Sequence, residues 1–190
     1  MSAILISSEG IWYRYSIQST ILLKYREELF DAIVNGSAIE FPFESGTTYN
    51  EAKFLFKQIQ DDLSRHLIFD LIALAEAAIR LDYINRAQKR LKDKLSKEYK
   101  IIWKEFEKKA RLKGLLKLWV QCYPESRGAV NRFLQLLPVR HWIAHGRYYT
   151  LRAKIQDQQI VKETVDEILN AGIINMSALP AGAIQKQFFV

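Results

Sequence analysis

The chain has 190 residues, of which 49% are apolar and 26% charged, and it carries a formal net charge of +7. This length and composition favour one globular domain and argue against a disordered chain. No stretch reaches the roughly 18 uninterrupted apolar residues of a membrane span, and residues 1–10 lack the basic lead of a secretory signal, so we expect no membrane partner. The single cysteine, Cys122, leaves no intramolecular disulfide and is typical of the cytoplasm, where we expect the protein to act.

The first 48 residues are predicted to form an extension that packs on a helical bundle. Residues 3–6 and 11–17 are rich in β-branched and aromatic side chains and flank a plausible turn, a pattern that favours a small β-hairpin. Apolar residues at helical spacing predict a helix over 19–34 that ends at Asn35-Gly36, because both residues tolerate the left-handed cap conformation.

A helical bundle is predicted over residues 49–170, followed by an apolar tail at 171–190. From Tyr49 the apolar residues keep a period of about 3.6 through several turns, which indicates a long amphipathic helix. The predicted fold class is therefore all-α, apart from the small N-terminal β-hairpin. Predicted interruptions fall near Tyr83, at Gly114, at residues 123–126 and at Pro138, with a further helix over 160–169.

Cations crowd the stretch from Arg86 to Lys117, where only four acidic residues oppose them. One interpretation is a solvated helix face with ion pairs between residues four apart. The other is an RNA-binding surface, because neutralising phosphates supplies most of the sequence-independent affinity for nucleic acid. Under the second interpretation the RNA-binding candidates are Lys104, Lys108, Lys109 and Arg111, together with Arg147 further along the chain.

Chemistry-bearing residues concentrate in residues 137–149, which hold two of the three histidines of the chain. Arg140, four intervening residues and His145 resemble the signature of HEPN ribonucleases, in which an arginine precedes a histidine by four to six residues. His141 occupies the position after the arginine, where that family often has a polar residue. The phrase Arg-His-Trp-Ile-Ala-His-Gly-Arg-Tyr-Tyr, late in a helical chain, resembles the signature helix of the bacterial members, and the resemblance covers about residues 49–151.

The resemblance implies an endoribonuclease that needs no metal and no cofactor, works as a homodimer, and often is the toxin of a toxin–antitoxin or antiphage system. An antitoxin or another protein is then a further partner. Some toxins of the family are silenced by modification of a tyrosine two residues after the histidine. Arg147 occupies that place here, which puts this mode of control in doubt.

The residue types suit this chemistry. Cleaving RNA without metal requires proton transfer at the 2′-hydroxyl and the leaving oxygen, for which His145 is the candidate acid/base. It also requires positive charge on the phosphate, for which Arg140 is the candidate clamp and His141 an assistant. On an ideal helix Arg140 and His145 lie about 140° apart, so Arg140 is expected to reach round the helix or across a dimer axis.

Three alternatives remain open for these residues. Arg140 and His145 could only brace the core through packing and a salt bridge. His141 and His145 could bind a metal, although no carboxylate lies near them in sequence. The domain could also be a non-catalytic HEPN module that binds RNA or a protein partner.

Overall fold

The computed structural model describes residues 7–37, 47–89, 91–145 and 156–175, and every regular element within these ranges is helical. The all-α prediction is confirmed. In chain order the α-helices are α1 (Ser8–Asn35), α2 (Tyr49–Gln88), α3 (Lys94–Phe106), α4 (Leu112–Cys122), α5 (Arg127–Ala144) and α6 (Gln158–Leu169). Short 3₁₀ helices cover Glu107–Lys109 and Pro124–Ser126. None of the helices in the described ranges is long and apolar enough to cross a membrane.

The prediction of an N-terminal hairpin is wrong for the residues that the structure describes. Residues 11–17, its second strand, belong to α1, as does most of the predicted turn; residues 3–6 lie outside the described residues. β-Branched and aromatic residues favour strands only weakly and in context. Here they continue the helix predicted over 19–34, which ends as expected at Asn35, with Gly36 at a φ of +67°.

The described residues fall into two compact units that divide inside α2, between Leu67 and Ile68. The first unit, Glu9–Leu67, joins α1 to the beginning of α2 around Leu29, Ala52 and Phe56. A capping box starts α2: the Thr48 amide and hydroxyl donate to the Glu51 carboxylate at 2.8 and 2.7 Å, and the Glu51 amide donates back to the Thr48 hydroxyl.

The second unit, from Ile68 onward, packs α3 to α6 and the rest of α2 around a core of large apolar side chains. Trp119 of α4 is fully buried, and its indole N–H donates to the hydroxyl of Tyr99 at 2.6 Å. The Tyr99 ring in turn meets the edge of Tyr83 of α2 at 5.0 Å between centroids. These contacts hold α2, α3 and α4 together.

A buried ionic network fixes the segment that follows α6. The Arg86 Nε donates to both oxygens of Asp82, which is fully buried. The other guanidinium nitrogens donate to Asp93, the N-cap of α3, at 2.8 Å, and to the carbonyl of Ile173 at 2.6 Å. The start of the predicted apolar tail is therefore held on the bundle, since Ile173 and Ile174 are also buried. Residues 176–190 lie outside the described residues.

Three predicted helix breaks are not present. Tyr83 and Gly114 lie inside α2 and α4, and Pro138 lies inside α5, which runs unbroken from Arg127 to Ala144. An interior glycine costs a helix only about 1 kcal/mol and an interior proline about 3 kcal/mol, amounts that burial of an apolar face can offset. The break at residues 123–126 is confirmed as a 3₁₀ turn, and the helix predicted over 160–169 is confirmed as α6.

Candidate functional site

The two histidines of the signature lie together at the C-terminal end of α5. His141 and His145 are four residues apart, so they share a helix face, and their ring centroids are 4.2 Å apart. Both side chains are exposed to solvent. His145 is the C-cap residue, and its amide donates to the His141 carbonyl at 3.1 Å. The pair is therefore accessible to a substrate and held by the last turn of the helix.

Arg140 contacts a different neighbour, in agreement with its angular separation from His145. Its Nε lies 3.5 Å from an oxygen of Glu76, and its guanidinium carbon lies 5.6 Å from the centroid of the Phe69 ring. Both partners belong to α2, and one third of the Arg140 side chain remains exposed. Within the described part of the chain, no hydrogen bond or ring contact joins Arg140 to either histidine.

Glu76 is a site residue whose contact with Arg140 the sequence did not predict. Its spacing to Arg80 predicts a helix salt bridge, which is present with a distance of 3.1 Å from the Arg80 Nε. The other oxygen of the same carboxylate faces Arg140, which lies on a different helix. The side chain of Glu76 is only 16% exposed, so its negative charge is shared by two arginines in a partly desolvated position.

Arg80 also links this site to the turn between α3 and α4, which carries predicted RNA-binding cations. The Arg80 Nη1 donates to the carbonyl of Ala110 at 3.1 Å. The hydroxyl of Tyr83, one turn further along α2, donates to the carbonyl of Glu107 at 2.7 Å. Burial raises the pKa of Tyr83, which keeps the phenol protonated and able to donate. Two side chains of α2 thus fix the backbone of the turn.

The candidate RNA-binding residues of this region are all exposed. Lys104 lies in the last turn of α3, Lys108 and Lys109 belong to the 3₁₀ turn, and Arg111 is the N-cap residue of α4. None of the four forms an ion pair with another described residue. Arg147 lies outside the described residues.

Three other features that could indicate an active site are a cysteine, a pocket and a group of metal ligands. Burial raises the pKa of the Cys122 thiol, which lowers the amount of nucleophilic thiolate at neutral pH. A pocket of about 710 Å³ lies in the first unit between α1 and the beginning of α2, and none of the candidate catalytic residues lines it. Among the residues in the described ranges, no three or more His, Cys, Asp and Glu side chains are grouped as metal ligands.

Comparison with family models, curated proteins and solved structures gives no match to this chain.

Proposed function

We propose that this protein is a metal-independent endoribonuclease of the HEPN type, acting in the cytoplasm as the toxin of a toxin–antitoxin or antiphage system. The observation that carries the proposal is the arrangement at the end of α5, where an exposed histidine pair follows a partly buried, anchored arginine. His145 transfers protons at the 2′-hydroxyl and the leaving oxygen, and Arg140 binds the scissile phosphate. His141, whose ring contacts that of His145, assists it.

The turn between α3 and α4, residues 107–111, is here called the basic turn. It supports RNA as the substrate. Arg80 donates hydrogen bonds both to the carbonyl of Ala110 in this turn and to the carboxylate of Glu76, which contacts Arg140. Only the side chain of Arg80 therefore separates the turn from Glu76. A strand bound along the exposed cations of the turn would lie close to Arg140. Their lack of acidic partners among the described residues favours a phosphate backbone as the partner.

The separation of Arg140 from His145 within one chain supports a homodimer. A two-fold axis beside α5 would supply the histidine of one subunit to the arginine of the other. Such an arrangement is testable by mixing two inactive variants, Arg140→Ala and His145→Ala. If the site is composite, mixed dimers contain one intact site, and activity returns to about a quarter of the wild-type value.

The primary test is incubation of labelled RNA with purified protein in EDTA. Wild type is expected to cleave and to leave 2′,3′-cyclic phosphate ends. His145→Ala is expected to lose about 10²- to 10⁴-fold and Arg140→Ala about 10²- to 10³-fold in rate. Matched controls are His66→Ala, the exposed histidine of α2, and Arg132→Ala, an exposed arginine of α5 that pairs with Glu167.

A non-catalytic module that binds RNA or a protein is the second candidate function. It is favoured by the contacts of Arg140 with Glu76 and Phe69, which are also expected if this arginine only braces α5 against α2. Salt-sensitive RNA binding without cleavage by folded, dimeric wild type would select this alternative.

A further inference from the structure

A second pocket opens where α3 ends and α4 begins, around the basic turn. Its volume is about 440 Å³, which lies within the range of roughly 300 to 1,000 Å³ of small-ligand sites. The wall toward α3 is formed by Ile102 and Phe106, and Leu115 of α4 is buried beneath it. Phe106 is 47% exposed although it is a large aromatic residue.

The other side of the pocket is cationic. Lys109 and Arg111 line it, and none of the described residues that line it is acidic. Both cations flank Ala110, whose carbonyl is held by Arg80, so the backbone that carries them is fixed on α2. An exposed aromatic side chain next to two cations on an anchored backbone is the combination that binds a nucleobase together with its phosphates.

Gly114 lines the pocket. It lies inside α4, where glycine is one of the weakest helix formers. Packing does not require a glycine here, because a Cβ built on Gly114 meets no atom within 4 Å. Its φ is not in the left-handed region either, since the only glycines with positive φ among those described are Gly36 and Gly172. The glycine therefore leaves free space in the wall of the pocket at a cost to the helix.

We propose that this pocket binds one unpaired nucleobase of a single strand, stacked on Phe106, with the flanking phosphates on Lys109 and Arg111. The inference rests on the proposed function, for which it defines the substrate class as single-stranded RNA. Bases in a duplex are stacked on each other and cannot enter such a pocket, whereas unpaired bases stack on aromatic side chains. Neither an aromatic ring nor these cations reads the 2′-hydroxyl, so the pocket binds single-stranded DNA of the same sequence as well.

This last property provides the assay. A fluorescent single-stranded DNA lacks the 2′-hydroxyl and is not cleaved by the proposed mechanism, so its binding to the full chain can be measured by anisotropy. Phe106→Ala removes the stacking surface, and Gly114→Leu fills the pocket. Each is expected to weaken binding by about 5- to 150-fold, the effect of losing one stacked base. The matched control is Ile101→Ala, since Ile101 is 63% exposed on the same helix but does not line the pocket.

Misfolding does not explain a loss in Gly114→Leu, because leucine is a better helix former than glycine and the melting temperature should not fall. Binding of a blunt duplex of the same sequence should be unchanged in both variants, since it depends on surface cations alone.

The outcomes separate the two proposals. Unchanged DNA binding by both pocket variants, with RNA cleavage in EDTA retained, overturns the pocket and leaves the nuclease. Weakened DNA binding with no RNA cleavage by wild type supports the pocket and removes the nuclease. An equal loss in Ile101→Ala, or no single-strand binding by wild type, overturns the pocket and points to an apolar surface for a protein partner.

Discussion

Replacing Glu76 by glutamine tests whether this carboxylate positions Arg140. Glutamine keeps the size of the side chain and removes the charge that lies 3.1 Å from the Arg80 Nε and 3.5 Å from the Arg140 Nε. The two arginines would then share a partly buried region without a counter-charge. We expect lower stability and a less fixed Arg140.

The magnitude follows from the geometry of each pair. The Arg80 pair is hydrogen-bonded, but the arginine is 37% exposed, so solvent screening limits its contribution to about 1 kcal/mol. The Arg140 Nε is buried and forms no hydrogen bond with a described residue, which limits this second pair to about 1 kcal/mol as well. Glu76→Gln should therefore lower the free energy of unfolding by about 2 kcal/mol.

A double-mutant cycle between Glu76→Gln and Arg140→Met isolates the second pair from the first. Urea titration of the four proteins should give a coupling free energy of about 1 kcal/mol. The control pair is Arg132 and Glu167, which joins α5 to α6 but is 54% and 43% exposed, and should couple by less than about 0.5 kcal/mol.

The effect on RNA cleavage gives a second readout. Losing about 1 kcal/mol of restraint on Arg140 corresponds to about a 5-fold lower kcat. KM should not rise, because an arginine without a neighbouring carboxylate binds phosphate at least as well. A coupling free energy within the additivity error of about 0.3 kcal/mol, or a rise in KM with kcat unchanged, would refute the assignment of Glu76 as a positioning residue.

Two further predictions concern the buried ionic network. Arg86→Leu leaves the fully buried Asp82 without its cation and should cost about 3–5 kcal/mol in urea titration at pH 8. Because burial already raises the pKa of Asp82, folding favours its protonated form, and the deficit should shrink toward pH 5; a constant deficit would contradict this cause. Asp93→Ala removes the N-cap of α3 and should cost about 1 kcal/mol at pH 7. Burial acts to raise the pKa of Asp93, but Ser96 and Arg86 together lower it, so this stability difference should disappear only as the pH falls below about 3.9, the ordinary value of an aspartate.

The sequence predicted the helices whose signals are local. The apolar period that begins at Tyr49 predicted the start of α2, and Asn35-Gly36 predicted the end of α1; both signals depend only on neighbouring residues. The prediction failed where a local preference opposes the rest of the fold. Pro138 disfavours a continuous helix, but the nearby residues Leu136 and Val139 are buried, and this burial favours one continuous element.

For the candidate site, the sequence predicted the contact between residues of one helix but not the contacts between residues of different helices. The contact of His141 with His145 follows from their separation of four residues. The contact of Arg140 with Glu76 joins residues far apart in the chain, and no periodicity reports it. The pocket beside the basic turn depends on the angle between α3 and α4, which short-range patterns do not contain.

One face of α2 connects the two proposed subsites. Glu76, Arg80 and Tyr83 follow each other at intervals of four and three residues, so they share one face of α2. From that face Glu76 contacts Arg140 of α5, Arg80 contacts both Glu76 and the basic turn, and Tyr83 holds the start of that turn. A helix that only braced α5 would need Phe69 and Glu76 alone. The additional hydrogen bonds to the backbone of the turn fix exposed cations at a defined place relative to Arg140, which is what a strand bound at both positions requires.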